Sequence, residues 1–236
     1  MAYANTFKRR EMKFLLNEEQ YGALMEQISE HLHPEAFGSY TVRNIYLDNR
    51  NYDLIRSSLG KPIYKEKLRL RTYGETNDNS EAFLEIKKKL RGITYKRRLG
   101  LPYKELHDYI TDGAIPSDNG QVYQEIDYLI KRMSLSPKIV ICYDREGFFD
   151  VDDEEFRITF DGNIRYRHND LDLRAGDFGE TLNAAPYRIM EVKSAGAIPM
   201  WMVRELSALR IFHGSFSKYG TIYQMEVRGT AQFSAL

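Results

Sequence analysis

The 236 residues read as an α+β protein built on one large, mainly antiparallel sheet. Three observations carry that class. Segments of period-two alternation recur along most of the chain. A few segments of helical period lie between them. An aromatic content of 13%, chiefly 17 Tyr and 12 Phe, favours half-buried rings on strands. Gly and Pro fall at scattered turns and no linker-like run divides the chain, so one domain over 1–236 is expected. About eight or nine strands in one sheet should curl into a barrel or split in two.

Alternation predicts strands over 7–15, 41–47, 64–73, 82–89, 93–99, 138–145, 155–161, 187–193 and 222–228. Asn17 reads as a helix N-cap with Gln20 closing a capping box; Leu24, Met25, Ile28 and Leu32 share one side, and this helix should end before Pro34. A short helix is expected from Tyr103 to Ile110. Another runs from Gln121 to Met133, with Val122, Ile126, Leu129, Ile130 and Met133 on one face. Pro199 suits a first helical position and opens a third, carrying Trp201, Met202, Leu206, Leu209 and Ile211.

Charge and motifs exclude several functions. Lys and Arg total 34 against 34 Asp and Glu, which argues against the broad basic field of a duplex nucleic-acid binder. The rings are dispersed and form no RNA-stacking motif. There is no phosphate-binding G-x-x-x-x-G-K-[ST] and no nucleophile elbow. His31 and His33 have no third ligand nearby and read as a solvent-exposed pair, not a metal site. The single Cys142 lies in an apolar run, packs as a small hydrophobe and fits a reducing, cytoplasmic setting. No secretion signal or membrane-spanning apolar run is encoded.

The positive charge is sorted by strand face. In Tyr64–Tyr73, Lys65, Lys67, Arg69 and Arg71 point one way and Glu66, Leu68, Leu70 and Thr72 the other. The same split gives Glu85, Lys87 and Lys89 opposite Leu84 and Ile86, and aligns Thr94, Lys96 and Arg98. Tyr143 shares a face with Arg145, Arg157 with Thr159 and Asp161, and Glu191 with Lys193. Lys88, Arg91 and Arg97 fall on the opposite register or in turns and read as surface charges. One such strand is an ordinary solvated sheet face. A sheet with several such strands could be open to water or closed into a barrel with its basic face inward, the compensating Asp and Glu lying largely on helices and loops. Unpaired buried cations cost several kcal/mol each, so such a lumen must hold water and an anion. Arg forks and Lys charges suit phosphate oxygens. Glu85 and Glu191 would be ion partners of the lysines or ligands of a divalent cation.

The ordered set Arg10-Glu11-Met12-Lys13-Phe14, Ile45-Tyr46-Leu47-Asp48, Lys67-Leu68-Arg69-Leu70-Arg71-Thr72-Tyr73-Gly74, Leu84-Glu85-Ile86-Lys87, Tyr95-Lys96-Arg97-Arg98, Tyr143-Asp144-Arg145, Arg157-Ile158-Thr159-Phe160-Asp161, Met190-Glu191-Val192-Lys193 and Phe216-Ser217-Lys218-Tyr219 spans nearly the whole chain. It resembles the polyphosphate polymerase domain of the vacuolar transporter chaperone (VTC) family, within the triphosphate tunnel metalloenzymes, in a stand-alone bacterial form. That resemblance implies a closed antiparallel β-tunnel of about eight strands with a basic lumen and flanking amphipathic helices.

It also implies roles. Arg69, Arg71, Lys87, Arg145, Arg157 and Lys218 would act on the transferred phosphoryl group; Lys13, Lys96, Arg98, Tyr143, Lys193 and Ser217 would bind phosphate; Glu191, with Glu85, would hold Mn²⁺ or Mg²⁺. The partners would be ATP or another nucleoside triphosphate, polyphosphate, triphosphate or pyrophosphate. A membrane partner for the product stays open. The implied reaction moves a γ-phosphoryl group onto a polyphosphate end, which needs positioning and charge neutralisation and no strong base. The alternatives are a triphosphate hydrolase of the CYTH type, whose E-x-E-x-K pattern meets Arg9-Arg10-Glu11-Met12-Lys13 here with a single glutamate, and a non-catalytic polyphosphate-binding module. Ser215 stands where the family pattern expects a basic residue.

Overall fold

The computed structural model describes residues 10–60, 62–91, 93–183 and 185–226. The first half of the chain comprises β1 (Arg10–Leu16), α1 (Glu18–Ile28), a 3-10 turn (Ser29–His31), β2 (Leu32–Asp48), α2 (Asp53–Leu59), β3 (Tyr64–Tyr73), β4 (Glu81–Leu90) and β5 (Ile93–Pro102). Then follow α3 (Tyr103–Asp112), α4 (Gln121–Met133), β6 (Ser136–Asp150), β7 (Arg157–Arg167), a 3-10 turn (Leu173–Ala175), β8 (Glu180–Thr181), β9 (Arg188–Ser194), α5 (Met200–Ala208), β10 (His213–Gly214) and α6 (Lys218–Glu226).

Local chemistry explains most boundaries. The Asn17 side chain accepts from the Gln20 N–H while the Gln20 side chain accepts from the Asn17 N–H, so α1 opens on the expected capping box. It stops earlier than expected. Leu32, His33 and Pro34 pair instead with Asp150, Phe149 and Phe148 of β6, which makes β2 17 residues long where only 41–47 was expected. A bulge between Pro34 and Ser39, with Gly38 at a φ of 59°, breaks the alternation that would have revealed the longer strand. Helix α2, unforeseen in the sequence, is organised by the buried Asp48 carboxylate, which accepts N–H bonds from Asn49, Leu54 and Ile55. The expected strand over 222–228 is helix α6 as far as Glu226; its last two positions lie outside the described residues. The Ser217 hydroxyl and carbonyl accept the Gly220 and Thr221 N–H groups and so start that helix.

All ten strands join one antiparallel sheet in the order β10-β1-β9-β7-β6-β2-β3-β4-β5, with β8 on β7. The expected closed tunnel of about eight strands is therefore corrected to an open, curled sheet. The cause is local: the β1 edge that would meet β5 is taken by β10 at Lys13 and Phe14. Curling still carries β1 over β4, since Lys87 reaches Glu11 at 3.2 Å.

Apolar faces fix the curl. Leu68, Leu70, Leu84 and Ile86 pack on the outside under α3 and α4, through Leu106, Tyr109, Ile126 and Leu129. Phe14, Ile158, Met190 and Val192 pack under α1 and α5, through Leu24, Ile28, Met202 and Leu206. A third cluster joins Val42, Ile139, Ile141 and Ile189 to Phe216, Tyr219 and Ile222 of the α6 region. Among the described residues no helix is long and apolar enough to cross a membrane. Cys142 is buried, and burial pushes its thiol pKa up.

Candidate functional site

Strand register determines which side chains meet on the inner face. Arg69 lies opposite Glu85 and Glu85 opposite Arg98; Lys67 lies opposite Lys87 and Lys87 opposite Lys96; Asn44 and Tyr46 of β2 flank Arg71 and Arg69. On the other wall, Lys13 faces Glu191, Glu191 faces Thr159, and Asp161 lies between Arg145 and Ile189. Lys88 and Arg97, assigned to the opposite face, both pair with Glu125 of α4 outside the sheet.

Three clusters result, each built on one carboxylate. Glu85, 1% exposed, accepts two bonds from Arg69, at 2.8 and 2.9 Å, and pairs with Lys96 and Arg71. Burial raises the Glu85 pKa, but Arg69, Arg71 and Lys96 override it and hold the group ionised well below the usual carboxylate range. Of the two roles left open for Glu85, the structure shows the ion pair. Burial, with help from Arg69 and Arg71, pulls Lys96 down to about 8 despite its Glu85 partner.

Asp161 anchors the second cluster. Arg145 donates to both of its oxygens, at 2.7 and 2.9 Å, and Lys218 donates to it at 2.6 Å. Burial would raise this carboxyl too, yet Lys218 and Arg145 push its pKa far down. Tyr143 ties the first two clusters together: Arg71 donates to its hydroxyl at 2.9 Å and the Lys218 Nζ sits 3.9 Å from its ring centroid. The Asn44 side chain holds the other edge of Arg71 at 2.7 Å.

Glu191 forms the third, with Lys193 at 2.8 Å and Lys13 at 3.7 Å. Against burial, Lys193, Lys13, Arg145 and Lys87 depress its pKa strongly. The Oγ1 of its cross-strand neighbour Thr159 is buried and has no hydrogen-bond partner among the described residues. One carboxylate beside one unsatisfied hydroxyl fits a hard cation whose other ligands come from phosphate oxygens. It does not fit a cation held by protein alone, and no group of three or more His, Cys, Asp or Glu gathers for one among the described residues.

The remaining expected residues sit around these clusters. Lys87 pairs with Glu11, Arg157 with Glu35, and Arg98 lies over the Phe83 ring at 4.4 Å. Ser217 accepts from Lys67 at 2.9 Å at the start of α6, whose N-terminal dipole therefore opens onto the basic face. Ser215 is exposed, whereas Phe216 beside it is buried. Lys67 is pulled to about 8 by burial and by Lys13, Lys65 and Lys87. Burial raises Tyr46, but Arg69, Lys67 and Arg71 bring it down to about 7.

Sequence reasoning missed Glu35, Asn44 and Tyr46. Glu35 reaches the inner face only through the β2 bulge, crossing β6 at Gly147, where any Cβ would meet its carboxyl group. Tyr46 alternates with Ile45 and Leu47 on β2, a signal that was readable, whereas Asn44 follows the charged Arg43. Most carboxylates lie on helices and loops as expected, but Glu11, Glu85, Asp161 and Glu191 stand on the inner face itself.

Comparison with known proteins agrees with this geometry. Residues 8–227 match the VTC domain family. The chain is 26% identical over 190 residues to vacuolar transporter chaperone complex subunit 4 of Schizosaccharomyces pombe; the match covers 64% of this chain and 26% of that protein, so the chain spans about a quarter of its relative's length. Two solved structures share the fold. One is a candidate adenylate cyclase from Bacillus halodurans, with a TM-score of 0.55 and 14% identity over 91% of this chain and 96% of that one. The other is a candidate adenylyl cyclase from Hippeastrum with a dominant triphosphatase activity, with a TM-score of 0.51 and 12% identity over 94% and 97%. With its sheet order, its carboxylate-centred basic face and a family match over nearly its full length, the chain belongs to the VTC domain family.

Proposed function

We propose that this protein is a polyphosphate polymerase that transfers the γ-phosphoryl group of a nucleoside triphosphate to the end of a polyphosphate chain held on its curled basic face. The observation that carries the reading is the length of the cationic row. Lys65, Lys67, Arg69 and Arg71 extend over about 20 Å of one strand face, longer than a triphosphate needs, and Lys87, Lys96, Lys13 and Lys218 continue the charge on the facing walls. Membership of the VTC domain family supports the same substrate class.

Arg69, Arg71, Arg145 and Arg157 clamp phosphate oxygens. Lys13, Lys87, Lys96, Lys193 and Lys218 neutralise charge, and Ser217 with the first turn of α6 supplies further donors. Without substrate, Glu85, Asp161, Glu191 and Glu11 pair with most of these cations and hold them in place, so much of the site is preorganised, while Lys67 rests on the Ser217 hydroxyl. The attacking terminal phosphate oxygen is already anionic near neutral pH, which agrees with a site lacking a His-centred base. Glu191, backed by Thr159, would hold Mg²⁺ or Mn²⁺, which when bound supplies charge neutralisation on the phosphate oxygens. In this reading Glu85 serves as the counter-ion of Arg69 and Lys96. The buried Cys142 thiol supports placement in a reducing, cytoplasmic compartment.

The test incubates purified protein with ATP and Mn²⁺ or Mg²⁺. Acid-stable polymer supports the polymerase. Free phosphate without polymer identifies a triphosphate hydrolase, and nucleotide binding without turnover a binding module; either result rejects the proposal.

A further inference from the structure

At the C-terminal end of the β3 basic row the lining changes from cations to rings. Tyr73 continues the alternation of Arg69 and Arg71 and is 40% exposed, whereas Tyr143 and Tyr46 deeper on the face are buried. It meets Tyr40 edge-on at 5.9 Å and Phe83 edge-on at 6.1 Å. Phe83 lies opposite Arg71 on one side and Gly100 on the other. Its ring is laid down over Gly100, where a Cβ would come within 3.1 Å of the ring. The Arg98 guanidinium covers Phe83 at 4.4 Å, and that of Arg71 stands 5.9 Å from the Tyr73 ring centroid.

Three rings and two guanidinium groups therefore form a ledge at one end of the phosphate-binding row. Four residues along an extended strand, from Arg69 to Tyr73, cover about 13 Å, which matches the reach from a terminal phosphate through a ribose to a base. An aromatic face beside Arg groups is the chemistry that recognises a nucleobase, by stacking and cation–π contact.

We infer that this ledge, centred on Tyr73 with Phe83 and Tyr40 beside it, seats the base of the nucleoside triphosphate donor, and so distinguishes a nucleotide from bare triphosphate on the same face. The inference rests on the phosphate-binding reading of the row and adds the base-binding subsite to it.

The experiment titrates the full chain with ATP and, separately, with inorganic tripolyphosphate, using wild type, Tyr73→Ser and Tyr73→Phe. Tyr73→Ser is expected to weaken ATP binding by about 5- to 100-fold and to leave tripolyphosphate binding unchanged, with Tyr73→Phe restoring ATP affinity. Retained tripolyphosphate binding doubles as the control for folding. Equal losses for both ligands, or no loss for ATP, would overturn the ledge while leaving the phosphate row intact. Wild-type protein that binds neither ligand would overturn the phosphate-row reading, and the ledge with it.

Discussion

Lys218, the first residue of α6, donates to Asp161 of β7 at 2.6 Å, and Arg145 grips the same carboxylate from β6. One buried anion thus fixes the α6 N-terminus against the sheet. Asp161→Asn leaves two poorly solvated cations uncompensated and is expected to destabilise the ligand-free protein by about 3–5 kcal/mol. Tripolyphosphate should restore much of the loss, because a bound anion supplies the missing charge and stabilises by mass action. Thermal unfolding with and without the ligand checks both parts; a small loss, or no rescue, contradicts the pairing.

Lys67 and Lys96 are both held at about 8, below the ordinary lysine value of about 10.4. The folded state therefore binds fewer protons than the unfolded state between those values, so the cost of burying the two charges is present below pH 8 and is relieved as pH rises. Anion binding has the opposite sign, since it needs the protonated amines. Tripolyphosphate affinity should fall between about pH 7 and about pH 9.5 while ligand-free stability gains slightly. Lys67→Arg, which keeps its charge, should flatten the affinity profile. A flat wild-type profile contradicts this.

Removing Arg69 strips a clamp from the phosphate row and leaves Glu85 to Lys96 and Arg71. Arg69→Ala is expected to lower turnover by about 100-fold or more, the usual effect of losing one donor to developing charge. Steady-state product formation from ATP measures it. Activity equal to wild type would remove Arg69 from the site.

Glu11 and Lys87 bridge β1 and β4 where no strand pairing joins them. Both are partly exposed, so Glu11→Gln should change stability by less than about 1 kcal/mol. With one fewer carboxylate on the inner face, tripolyphosphate should bind about 2- to 5-fold tighter at low salt, and added salt should erase the gain. Calorimetry at two ionic strengths distinguishes this from a structural latch, which would lower the melting temperature sharply.

Much of this was legible because a strand has only two faces. Alternation from Lys65 to Arg71 placed every cation of β3 on the inner side, and the bounds of β3 and α4 agree with the periodicity that predicted them. Illegible features depend on departures from periodicity or on distant partners. The bulge at Pro34–Ser39 hid the first half of β2 and the route of Glu35. The alternating residues near Ile222 resembled a strand, yet Ser217 caps a helix there. Closure failed because two-residue β10 occupies the β1 edge, and so short a strand leaves no pattern to read.

The central claim is that the curled basic face binds a linear polyphosphate, and titration of tripolyphosphate into wild type and an Arg69→Ala/Arg145→Ala variant tests it most directly. The prediction is one-to-one binding to wild type that weakens with added salt and is lost in the double variant, provided that the variant is folded by circular dichroism. No binding to wild type, or equal binding to a folded double variant, would contradict it.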